Sequence, residues 1–126
     1  MILIFGSLIG FISVAFGAYA EHGLREAVSE ENFRFLMTAI RYNQVNAVVV
    51  STIGIALLNG GKLASITTLR WSGVLFIAGT VLFSFSIYLS VLLDIPSLVN
   101  LTPVGGITIM GAWLLLMVAA ICASKK

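Results

Sequence analysis

The chain has 126 residues, 60% of them hydrophobic and 10% charged, with a net charge of +2 and a mean hydropathy of +1.10. A soluble domain carries about 25% charged residues, so this one has too little polar surface to cover a water-exposed globule. Its basic residues do not cluster as a nucleic-acid patch requires. The composition predicts a single-domain, all-α integral membrane protein: a bundle of four transmembrane helices with an amphipathic extension before the second.

The first span is expected at about residues 2–20, a stretch with no charge. Its length matches a hydrocarbon core of roughly 30 Å. A signal peptide is the competing reading, because Ala18-Tyr19-Ala20 resembles a cleavage site. The missing positive n-region and the long apolar run argue for a span instead.

Residues 21–41 hold four of the five acidic side chains. Ser29 followed by Glu30 and Glu31 predicts a helix start, with acids where the helix dipole favours them. Phe33, Leu36, Met37 and Ile40 then form an amphipathic face. This helix runs on into a second span at 42–59, and Gly60-Gly61 ends it. Its length would be about 45 Å, so it must project beyond the bilayer core.

The third span is expected at 71–93, with Arg70 and Trp71 as interfacial anchors. Asp94, Pro96 and Asn100 mark a loop. Thr102 is the expected cap of the fourth span, 103–123, with Pro103 at its first position. Lys125 and Lys126 suit a membrane-surface anchor. Short loops make sequential helices antiparallel neighbours. Both termini and the middle loop then share a side with Lys62, Arg70, Lys125 and Lys126, against Arg25, Arg34 and Arg41 on the other. That margin of one charge predicts cytoplasmic termini.

Gly6, Gly10, Ser13 and Gly17 fall on one stripe of the first helix, where small residues let helix backbones approach. Gly79, Ser86 and Ser90 do the same for the third helix, and Gly105, Gly106, Gly111 and Ala112 for the fourth. The expected use is packing within the bundle, with homo-oligomer contact as the alternative.

The candidate site is a polar cluster of Glu21, His22, Arg41, Tyr42, Asn46, Ser84, Ser86 and Tyr88. The first helix leaves the membrane where the second enters, and the third returns to that face. Glu21 is within reach of a pair with Arg41, and Tyr42 and Asn46 stand one helical turn apart. Two readings stay open. The cluster is a hydrogen-bonded tie among helices, or it is a ligand, proton or ion site, since intramembrane polar groups are costly. His22 can titrate near neutral pH. It is the only histidine, and the only cysteine, Cys122, lies far along the fourth span. No metal site or cofactor is expected. No nucleophile elbow, phosphate loop or carboxylate pair is present, and the glycines at 105–106 follow no strand.

Four segments carry a family resemblance. Gly17-Ala18-Tyr19-Ala20-Glu21-His22-Gly23-Leu24 is similar to a G-A-F-G-A-H-A/G-L signature. Thr38 to Ala47 resembles T-A-x-x-Y-x-x-x-H-A, and Gly79 to Leu89 resembles G-x-x-L-F-S-G-S-L-Y-L. Thr102-Pro103-Val104-Gly105-Gly106, with Gly111-Ala112-Trp113, resembles T-P-x-G-G and a later G-W. Together they resemble the UPF0382 family, the domain of unknown function 423. Asn46 stands where that family has histidine, Phe85 where it has glycine, and Glu21 where it has a small residue. The resemblance implies a four-helix bacterial inner-membrane protein and no established reaction.

Two functions follow as expectations. One is a non-enzymatic membrane component, an assembly factor or small partner subunit. The other is a minimal oligomeric transporter or channel for a small solute or ion. An enzyme ranks behind both, because no acid–base pair stands out beyond Glu21 and His22. Expected partners are membrane lipid and either a second copy or another membrane protein.

Overall fold

The computed structural model describes residues 1–125. Lys126, half of the expected terminal anchor, lies outside the described residues. Helix α1 spans Ile2–Tyr19 and continues as a π-helical turn over Ala20–Leu24. Helix α2 spans Glu30–Asn59, and a single-turn α3 spans Gly61–Ala64. Helix α4 (Thr67–Thr80) runs through a second π turn, Val81–Phe85, into α5 (Ser86–Leu92). A 3₁₀ segment, Pro96–Leu101, leads into α6 (Thr102–Ser124).

The ends follow local chemistry. Ser29 caps α2 by accepting from the Asn32 backbone N–H at 3.1 Å, which satisfies one of the orphan donors of the first turn. Gly60 and Gly61 end it at φ +76° and +88°, a conformation that glycine adopts without steric penalty. Asp94, at φ +53°, turns the chain after α5, and aspartate is among the few residues that tolerate this region.

Two expected boundaries move. The third helix begins at Thr67, so Trp71 sits a turn inside it, 58% exposed. Thr102 is not a cap. The N-cap is Leu101, without a side-chain bond, because the 3₁₀ segment feeds directly into α6. The Thr102 hydroxyl is used across helices instead.

Three helical stretches are long and apolar enough to cross a membrane: Ile2–Leu24, Thr67–Leu92 and Pro96–Ser124. Helix α2 has the length, 30 residues, but Arg41, Asn43, Gln44 and Asn46 interrupt its apolar run.

Helix α2 sits at the centre. Its buried Leu36, Ile40, Asn43, Ala47, Val50 and Gly54 alternate steps of four and three, the period of a left-handed seam. Helix α1 lies antiparallel along it. A Cβ at Gly6 would stand 2.6 Å from Ser51 Oγ, and one at Gly54 2.6 Å from the Leu3 nitrogen. Both positions therefore require glycine. Cβ atoms at Gly10 and Gly17 would meet Ala47 and Ile40 at 3.6 Å, ordinary contact on the same face. On the other flank α4 packs against α6, where Gly79 meets Ile109 and Gly105 meets the Phe83 backbone. Gly111 meets nothing within 4 Å, so it does not thin a contact as expected. The main seams run α1–α2, α2–α4 and α4–α6, so the helices form a row with α1 and α6 at its flanks.

Candidate functional site

Helices α2 and α4–α5 carry two apolar clusters. One holds Val50, Ile53, Leu69 and Phe76. The other holds Leu36, Ala39, Ile40, Ile87 and Tyr88. Along both helices the stretch between these clusters is polar: Asn43 and Asn46 face Thr80 and Ser84, all buried to within 1%.

The third span presents a series at every fourth residue: Ser72, Phe76, Thr80, Ser84 and Tyr88, each buried. In a straight α-helix a step of four overshoots the turn by about 40°, so Tyr88 would sit about 160° away from Ser72. The π turn at Val81–Phe85 underwinds the helix and takes up part of that drift, which keeps the series on one face. Such turns occur as local bulges within α-helices, often at functional sites.

Each polar member of the series ties two helices. Ser72 Oγ donates to the Ala112 carbonyl of α6 at 2.8 Å. Thr80 Oγ1 donates to the Phe76 carbonyl at 2.7 Å and accepts from Asn46 Nδ2 at 2.9 Å. Ser84 Oγ donates to the Ala39 carbonyl of α2 at 2.7 Å. Tyr88 Oη accepts from Asn43 Nδ2 at 2.9 Å, and its ring stacks on Phe16 of α1 with centroids 4.0 Å apart. Ser86 Oγ lies 2.8 Å from Thr102 Oγ1, joining α5 to the start of α6. From Ser72 to Tyr88 the ladder is about 24 Å long at 1.5 Å per residue, and Thr80 is near the middle of the span Thr67–Leu92.

Four expected site residues, Asn46, Ser84, Ser86 and Tyr88, belong to this ladder. They are spread along its length rather than gathered at one membrane face. The other four, Glu21, His22, Arg41 and Tyr42, stand on the exposed surface. Glu21 pairs with Arg25 at 2.7 Å, one turn away, and not with Arg41. Tyr42 is 44% exposed and lies edge-on to Phe83. It does not share the inward direction of Asn46, because the seam takes Asn43. His22 lies in the π-helical turn that closes α1 and is exposed.

Sequence reasoning missed Asn43, Ser72 and Thr80. Asn43 was legible as a member of the four-three seam of α2. Ser72 and Thr80 were legible as four-spaced partners of Ser84 and Tyr88, given an underwound turn. The Asn43 Oδ1 atom is the one buried side-chain nitrogen or oxygen without a hydrogen-bond partner among the described residues. No group of three or more metal-ligating side chains occurs among the described residues.

Comparison with known proteins places these residues in a family context. The model of a family described as protein of unknown function (DUF423) matches residues 16–106, which include every ladder side chain named above. The UPF0382 inner membrane protein YgdD of Escherichia coli (strain K12) is 32% identical over 124 residues, 98% of this chain and 92% of YgdD. The UPF0382 membrane protein SAB0533 of Staphylococcus aureus is 31% identical over 121 residues, 94% of this chain and 93% of its own. The UPF0382 membrane protein YwdK of Bacillus subtilis is 29% identical over 119 residues, 94% of each chain. No solved structure matches.

Proposed function

Because the chain belongs to the DUF423 family of UPF0382 membrane proteins, we propose that it is a non-enzymatic component of the bacterial inner membrane, a small partner subunit or assembly factor that crosses the bilayer four times with both termini in the cytoplasm. The observation behind this reading is the use made of the ladder. Ser72, Thr80, Ser84 and Asn46 commit their buried polar groups to bonds between or within helices. Buried polar groups satisfied in this way rigidify a core and fix its register; they leave little to bind a passing solute.

The fourth span of this reading is α2. At 30 residues it is about 45 Å long, and it lies against α1 from Leu3 to Gly17. A helix seated that far along a membrane-spanning neighbour shares its depth. The orientation rests on Lys62, Arg70, Lys125 and Lys126 against three arginines at the other end.

Cross-linking in native membranes tests the role. Photo-reactive residues at Met110 and Met117, exposed on the α6 flank, should capture one other membrane protein in stoichiometric yield. Capture of lipid alone from both positions and from the α1 flank would refute a partner subunit. The alternative, a minimal oligomeric transporter or channel, draws on the Asn46–Thr80 pair at mid-span and the unpartnered Asn43 Oδ1. Solute or ion flux in proteoliposomes, abolished by Thr80→Val in a folded protein, would favour it.

A further inference from the structure

Where α1 begins, α2 ends and α4 begins, the helices leave a half-open cavity of about 250 Å³. Its walls are Ile2, Leu3, Gly54, Leu57 and Val74, and Arg70 stands on it as the one charged side chain. The cavity has a sequence cause. Gly54 lets Leu3 approach so closely that α1 and α2 touch through backbone, and Gly73 on α4 receives Ile2. The space beside these contacts is left open towards the bundle's end.

Charge is divided sharply along the long axis. This end carries Lys62, Arg70, Lys125 and Lys126 by sequence and no acidic side chain. All five acidic residues, Glu21, Glu26, Glu30, Glu31 and Asp94, belong to the opposite end. The formal charges are therefore +4 here and −2 there (three arginines less five acids), which sum to the +2 of the chain. The one ion pair among the described residues is Glu21–Arg25, at that opposite end. Arg70 thus presents an uncompensated guanidinium at headgroup level, with apolar wall one turn deeper at Val74.

We propose that this cavity holds one anionic glycerophospholipid, with Arg70 on the headgroup phosphate and an acyl chain along Leu57 and Val74. Charge complementarity selects the headgroup: a basic pocket between membrane helices favours lipid with net negative charge, and guanidinium matches phosphate geometry. Size argues against the other occupants. The cavity has about eight times the ≈ 30 Å³ share of one water, and it is too narrow for a partner helix some 10 Å across. The inference rests on the helices crossing a bilayer, and on neither their orientation nor the partner reading above.

The full chain in mild detergent tests it, by native mass spectrometry and thermal unfolding with added phosphatidylglycerol, phosphatidylcholine or inorganic phosphate. Phosphatidylglycerol should bind and raise Tm. Arg70→Gln should weaken its binding about fivefold, the effect of one cation near an anionic headgroup. Arg70→Lys should keep most of it, and Lys125→Gln should leave it unchanged. Val74→Trp, which fills the cavity and spares the charge, should also remove the lipid; if that variant does not fold, the Arg70 pair decides alone. Equal binding of both lipids, or wild-type binding by Arg70→Gln, overturns the proposal. So does equal protection by inorganic phosphate, which would make this an anion site with no use for the acyl groove.

Discussion

The Asn43 amide nitrogen donates to the Tyr88 hydroxyl at 2.9 Å inside the bundle, and the amide oxygen beside it has no partner. Turning the amide over would only exchange the roles: the hydroxyl would donate to Oδ1, and Nδ2 would be left alone. One polar atom of Asn43 therefore stays unpaired in either orientation. The contact joins α2 to α5 while leaving that atom desolvated, so the bond gained and the desolvation suffered nearly cancel and the net stabilisation is small.

A double-mutant cycle on this pair should expose that near-cancellation. Tyr88→Phe strands the amide and should destabilise the fold by about 1–3 kcal/mol. Asn43→Leu combined with Tyr88→Phe removes both polar groups and should recover most of the loss. The coupling energy should be near the roughly 0.6 kcal/mol average for interhelical bonds in membranes. Unfolding in detergent measures it. A double variant as unstable as the sum of the singles would mean that the two residues do not act as a pair.

Glycine substitutions should divide by what a Cβ meets. Gly6→Ala and Gly54→Ala drive a methyl to within 2.6 Å of the neighbouring helix and should cost about 1–3 kcal/mol, as overpacking does. Gly111→Ala meets open space and should leave Tm unchanged or raise it slightly through helix propensity. Gly10→Ala should be tolerated, with Ala47 3.6 Å away, whereas Gly10→Leu should not. Similar melting of Gly54→Ala and Gly111→Ala would refute the close seam between α1 and α2.

The exposed ion pair should matter little. Glu21→Gln breaks the contact with Arg25, whose side chain is 62% exposed. Surface pairs contribute about 0–1 kcal/mol and are screened by salt, so the loss should be small and should vanish at high ionic strength. Glu21→Gln and Arg41→Gln should act additively. A coupling well above that range would restore the link between Glu21 and Arg41.

Topology can be read with a single thiol. Ser124→Cys, in a Cys122→Ser background that removes the exposed native thiol, should be labelled by impermeant reagent only after the cells are opened. Labelling of intact cells would reverse the proposed orientation.

Much of the helix layout was legible because its determinants are local. Ser29 caps α2 and Gly60 ends it as the sequence predicts, since both act within one turn of backbone. The apolar first, third and fourth helices follow from composition. The polar site was legible in part. Asn46, Ser84, Ser86 and Tyr88 stand out as residue types, but their placement depends on helix phase. Assigning Tyr42 to the inward face misses by one residue, about 100° of rotation, and Asn43 holds that position. The π turns were illegible: Val81–Phe85 is apolar except for Ser84, and nothing in its composition marks a change of pitch. The Glu21–Arg41 expectation failed for a simpler reason, because Arg25 lies on the same helical extension and competes at shorter range.

The π turn in the third span also sets a reading frame for the membrane. A π turn is in effect one residue accommodated within an otherwise α-helical segment. Delete one residue between Val81 and Phe85 and the helix can close as plain α, but everything after the deletion rotates by about 100° relative to what precedes it. Ser72 and Thr80 would keep their bonds to α6 and α2, while Tyr88 would swing away from Asn43 and carry the start of α6, joined through Ser86 and Thr102, with it. A chain shortened by that single residue would have nearly the same hydropathy profile and a differently wired interior.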